Sequence, residues 1–129
     1  MTFQAAPCRY LILSLVRQLT GPGRVPQSSI TVFDSSRFIP GNLYDKIHNE
    51  FPGVVFVDHI GGDGRVKAEF KPNAIPFSME SNNAKGLDTT VVEASYLIDA
   101  AVLRAHVNSG VTLCAKNLFD SNARICLGG

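Results

Sequence analysis

Two short apolar runs, each closing on an aspartate and separated by a helical stripe, constrain this chain most. Ile30-Thr31-Val32-Phe33 is β-branched and aromatic, and it stops at Asp34-Ser35-Ser36. Val54-Val55-Phe56-Val57 is continuously apolar and stops at Asp58-His59. Between them Pro40-Gly41-Asn42 opens a helix whose Leu43, Ile47 and Phe51 fall on one stripe, and Pro52-Gly53 ends it. Strands that are apolar throughout are buried on both faces, which is the pattern of a parallel sheet covered by helices. A right-handed crossover then lays the helix against that sheet.

An earlier helix precedes the first strand. Cys8, Leu11, Ile12, Leu15, Val16 and Leu19 recur at helical spacing, Pro7 suits the first turn, and Gly21-Pro22-Gly23 closes it. The expected fold is therefore α/β: a small, mostly parallel, Rossmann-like three-layer sheet. At 129 residues the chain fits a single domain, 1–129. Its abrupt helical start and its Cys126-Leu127-Gly128-Gly129 tail are those expected of a fragment or truncated form of a longer protein.

The middle changes period. Val66, Ala68 and Phe70 alternate with Lys67 and Glu69, and Ile75, Phe77 and Met79 alternate again after Lys71-Pro72-Asn73. Period two predicts an added β-hairpin whose second strand is kept at an edge by Pro76. Gly61-Gly62-Asp63-Gly64 is expected to be a hairpin turn. It lacks the Lys-Ser/Thr of a phosphate loop and leads into a strand, not a helix. Residues 81–88 read as a polar loop. The apolar run from Tyr96 to Leu103 is short enough for a buried strand, although its Ala and Leu content also suits a helix.

Charge and cysteine usage narrow the classes of function. Twelve Lys and Arg against eleven Asp and Glu leave +1, with no basic run, so nucleic-acid binding has no electrostatic support. No apolar run is long enough to span a bilayer, and residues 10–16 lack the flanks of a signal peptide. Cys8, Cys114 and Cys126 are widely spaced and odd in number, which argues against a disulfide framework, a zinc site or an iron–sulfur cluster held by this chain alone. Reduced thiols in a cytoplasmic setting are the expectation.

The polar residues concentrate in one stretch. Leu103-Arg104-Ala105-His106 delivers a cation and an imidazole into a short turn, and Thr112, Lys116 and Asn117 follow within eleven residues. Arg104 offers a planar fork for a carboxylate or phosphate, Lys116 a point charge or nucleophile, and Asn117 orientation. His106 and Lys116 are the candidate catalytic pair. Asp34 and Ser36 lie just past the carboxyl end of a parallel strand, the edge where ligands bind in open α/β sheets, so they are candidate binding residues too. Both also suit an ordinary turn. Asp58 and His59, at the same edge, are a weaker metal or acid–base candidate, and no metal site is assigned. Cys114 reads as a buried structural thiol and His48 as solvated surface.

Thr31-Val32-Phe33-Asp34-Ser35-Ser36-Arg37-Phe38, Glu93-Ala94-Ser95-Tyr96-Leu97-Ile98, Leu103-Arg104-Ala105-His106 and Gly110-Val111-Thr112-Leu113-Cys114-Ala115-Lys116-Asn117-Leu118-Phe119 resemble the family catalogued as domain of unknown function 362. The likeness runs from the first helix to about Phe119. That family has no established activity, and several members carry ferredoxin-type iron–sulfur segments elsewhere in the chain. Its members continue with Gly after Lys-Asn-Leu-Phe, where this chain has Asp120, and they carry an amino-terminal strand that this chain lacks. His106 and Lys116 around a Gly-x-Thr turn are also similar to a His and Lys pair in the amino-terminal domain of lactate racemases. That resemblance implies a Lys bonded to a nickel-pincer nucleotide and a His ligating the nickel.

Two functions follow as expectations. One is a binding or enzymatic domain that holds an anionic small molecule or a cofactor of unspecified class at segment 104–120. The other is a non-catalytic module that docks to an iron–sulfur redox partner or segment.

Overall fold

The computed structural model describes residues 9–74, 86–101, 104–107 and 110–112. Helix α1 (Arg9–Thr20) leads through a 3-10 turn at Gln27–Ser29 into strand β1 (Thr31–Asp34), helix α2 (Gly41–His48) and strand β2 (Val55–Asp58). β1 and β2 are parallel, with Thr31 opposite Val55 and Asp34 opposite Asp58. The sequence expectation of a strand–helix–strand unit with a parallel sheet holds. β3 (Val66–Lys67) adds a third parallel strand, in the order β1-β2-β3.

Period two assigns the sheet faces. Ile30, Val32, Val54 and Phe56 point to one side, where they meet Leu13, Val16, Leu43 and Ile47 in a single core cluster. Both long helices therefore lie on the same face of the sheet and pack on one another, so the described core has two layers and not the three expected, because α1 and α2 bury their stripes against each other as well as the sheet. Arg17 joins them at the surface, donating from Nε to Glu50 Oε1 (2.7 Å) and from Nη2 to Oε2 (2.6 Å). This bidentate hydrogen bonding holds the Glu50 carboxyl below, and the Arg17 guanidinium above, their ordinary pKa ranges.

α1 docks on the expected stripe only in part, turned toward Leu13 and away from Leu11. Leu13 and Val16 are buried and Ile12 and Leu19 pack on the core, whereas Leu11 is 47% exposed. The shift amounts to a rotation of about 60° at 3.6 residues per turn. Leu11, Ile12, Leu13, Leu15 and Val16 offer two overlapping apolar stripes, and contact with α2 and the sheet selects one. Cys8 and Pro7 lie outside the described residues.

The expected hairpin over 66–79 needs correction. Val66 and Lys67 join the parallel sheet, while β4 (Phe70–Lys71) pairs antiparallel with β5 (Leu87–Asp88), inside the expected polar loop. Residues 75–79 lie outside the described residues. Glu69 O accepts from Thr89 N (2.9 Å), and Asp88 Oδ1 accepts from Thr90 N (2.7 Å), which starts the short helix α3 (Thr89–Glu93). Tyr96 is 94% exposed and residues 96–101 form no strand, contrary to the buried strand expected there. An apolar run becomes a strand only by pairing in a sheet, and no named strand among the described residues includes 96–101. The hairpin that does occur joins β6 (Arg104–His106) to β7 (Gly110–Thr112). No helix among the described residues is long and apolar enough to cross a membrane.

Candidate functional site

The carboxyl ends of β1 and β2 carry a connected group of polar and aromatic side chains. After β1 the chain turns at once: Asp34 Oδ1 accepts from Ser36 N (3.1 Å) and from Ser36 Oγ (2.9 Å). The two predicted binding residues thus occupy each other in a local Asx turn, the geometry that Asp and Ser favour in loops. Ile39 N then donates to Asp58 Oδ2 (3.1 Å), which ties this loop to the end of β2.

Asp58 is fully buried and serves as an acceptor hub. Its Oδ1 takes hydrogen bonds from Ile60 N (3.0 Å) and Gly61 N (2.7 Å), and its main-chain oxygen takes one from Ala68 N (2.6 Å). A buried carboxylate is tolerated only when it is satisfied in this way or paired. Its charge partner is Arg65, whose Nε stands 3.7 Å from Asp58 Oδ2. His59 is exposed, and its Nδ1 lies 3.3 Å from Ser35 O, so the hydrogen bond of its ring goes to the main chain. Among the described residues, no group of three or more His, Cys, Asp or Glu gathers as metal ligands.

Gly61-Gly62-Asp63-Gly64 takes four successive positive φ values, +74°, +85°, +49° and +81°. The turn closes by mutual hydrogen bonds between Gly62 and Arg65, each of 3.0 Å. It does not join hairpin strands, as expected from the sequence; it returns the chain from β2 to β3, which is parallel to it. Parallel neighbours ordinarily need a crossover of a dozen or more residues. Left-handed backbone, open mainly to glycine, makes the shorter return over residues 59–65 possible. The loop does bind an anion through its amides, but that anion is the internal Asp58 carboxylate.

Arg65 is the functional-looking residue that sequence inspection misses. Its guanidinium carbon lies 4.5 Å from the Phe38 ring centroid and 4.4 Å from that of Tyr44. One terminal nitrogen donates to Asp63 O (3.1 Å), while Nε makes no hydrogen bond. Tyr44 in turn stacks on His48 at 4.9 Å and 15°, and meets Phe56 edge-on. The result is a ladder of His48, Tyr44, Arg65 and Phe38. His48 is half-buried within it and its Nδ1 has no hydrogen-bond partner, so it is not the solvated residue expected. The one sequence signal for Arg65 is a cation directly after a glycine-rich turn; its partners lie far away along the chain.

The segment 104–120 is described in part. β6 and β7 pair with Arg104 opposite Thr112 and His106 opposite Gly110. Three of the predicted site residues thus share one short ribbon, with Gly110 at φ +72° beginning its return strand. Lys116, Asn117 and Cys114 lie outside the described residues. Asp34 and Ser36 belong to the sheet edge, and no extensive packing joins that edge to the ribbon among the described elements.

No family model, curated protein or solved structure matches this chain significantly.

Proposed function

We propose that this chain is a Rossmann-like α/β binding domain, acting in a reducing, cytoplasmic setting, that holds an anionic small molecule or cofactor at segment 104–120. The observation that carries the proposal is the β6–β7 register, which sets Arg104 opposite Thr112 and His106 opposite Gly110. A fork for carboxylate or phosphate, an imidazole and a hydroxyl residue are supplied within one ribbon, and the chain runs on from it to Lys116 and Asn117. The likeness to the family of domain of unknown function 362 has its most specific part in this same segment.

The lactate racemase resemblance would give His106 a nickel-ligating role and Lys116 a covalent one. Lys116 is outside the described residues, and no three-ligand group occurs among them. A second reading, docking to an iron–sulfur redox partner, draws on the exposed run Tyr96-Leu97-Ile98.

The test is a thermal-shift screen of the wild-type chain against carboxylates and phosphate esters, repeated with Arg104→Ala and Lys116→Ala. A ligand at one hundred times its Kd stabilises the fold by about 2.7 kcal/mol. The shift should vanish in both variants while their unliganded Tm stays unchanged. Equal shifts in the variants, or none in the wild type, would reject the proposal.

A further inference from the structure

We infer that Phe38 is a stacking platform for a purine nucleoside at the carboxyl edge of the parallel sheet, a site separate from segment 104–120. One ring face is occupied, with the Arg65 guanidinium 4.5 Å from its centroid. The residue is nevertheless 43% exposed, so part of it stays open to solvent. The ring is also held in place from behind. Arg65 is buried, held 4.4 Å from the Tyr44 ring as well and paired with the fully buried Asp58. Asp58 accepts from the Ile39 amide, the next residue along from Phe38. A fixed aromatic face stacks a planar ligand with little further ordering cost.

The guanidinium also selects the kind of ring. A cation on the inner face draws π density toward itself, so the outer face attracts an electron-rich neutral ring and disfavours a second cation. Purines meet that requirement. A polar neighbour is available beside the platform. His59 is exposed, and its main-chain amide donates to Arg37 O (3.2 Å), which brings it against the Phe38 loop. Its Nδ1 lies 3.3 Å from the Ser35 carbonyl oxygen, and the tautomer that donates there presents Nε2 as an acceptor for the exocyclic amine of a purine. Ile60, 63% exposed, follows on the same loop.

The experiment uses 2-aminopurine riboside, whose fluorescence is quenched on stacking, titrated with the full chain. Wild type should quench it saturably. Phe38→Leu keeps an apolar cover on Arg65 but has no π face, and it should weaken binding about tenfold at unchanged Tm. Phe38→Trp should bind at least as tightly as wild type, and N-methylpyridinium should fail to compete. The same base within a short single-stranded RNA should bind no tighter, since the chain carries +1 without a basic run. Absence of saturable quenching, undiminished binding by Phe38→Leu, competition by the cationic ring, or tighter binding of the RNA would each overturn the inference.

Discussion

Replacing Asp58 by Asn tests whether the end of β2 is held by charge or only by shape. The carboxylate is fully buried, and it accepts from Ile39, Ile60 and Gly61 amides while facing Arg65 at 3.7 Å. An amide side chain keeps one acceptor oxygen, which can serve Ile60 and Gly61, but turns an NH2 toward the Ile39 amide. An orphaned buried donor costs about 1–3 kcal/mol. Removing the negative partner of a buried cation costs about 3–5 kcal/mol. The two losses overlap, so Asp58→Asn should destabilise by about 4 kcal/mol, a large part of the roughly 5–15 kcal/mol a domain possesses. Urea unfolding followed by circular dichroism measures this directly, with the m-value checked for constancy. In Asp58→Asn/Arg65→Met the unpaired cation is gone, so the double variant should be more stable than the sum of the single losses by at least about 1 kcal/mol. A loss below about 1 kcal/mol for Asp58→Asn, or strict additivity, would refute the ion-pair account.

Three further outcomes are expected. Gly64→Ala forces a side chain into φ +81° and against Tyr44 Oη, so it should cost more than Gly62→Ala, where φ is +85° but nothing lies within 4 Å. The left-handed backbone accounts for about 1–2 kcal/mol in both and the collision for about 1–3 more in the first, and equal unfolding midpoints would contradict this. Leu13→Ala should cost about 2–5 kcal/mol, while Leu11→Ala, at 47% exposure, should stay within about 0.5 kcal/mol; the reverse order would restore the stripe read from spacing. Glu50 has a depressed pKa through its hydrogen bonds from Arg17, so its stabilisation is present above the ordinary glutamate range and lost as pH falls through the lowered value. The Tm difference between wild type and Glu50→Gln should therefore shrink on acidification and with added salt, and a difference independent of both would exclude the pair.

Much of the parallel core is legible from the chain because its signals are local. Val54-Val55-Phe56-Val57 is a strand by composition, Pro40-Gly41 starts a helix, and Leu43 and Ile47 are buried as their spacing requires. Errors arise where local pattern permits two answers. The alternation from Val66 to Phe70 fits one long hairpin strand, yet Ala68 N bonds to Asp58 O and the run divides between two sheets. Of the candidate site, the carboxyl edge was legible as a location, since strand ends are visible. Its chemistry was not: Asp34 and Ser36 satisfy one another, and Arg65 acquires meaning only from Phe38 and Tyr44, more than twenty residues before it.

By itself, the sequence determined that two apolar strands flank a helix and end in aspartates, because apolar runs and helical spacing are properties of neighbouring residues. Tertiary structure alone decided which aspartate became a structural anchor. Asp34 turns back on its own loop, whereas Asp58 is enclosed by the glycine turn, the Ile39 amide and the Arg65 guanidinium. The difference is one of desolvation: a carboxylate removed from water must collect donors from distant parts of the chain.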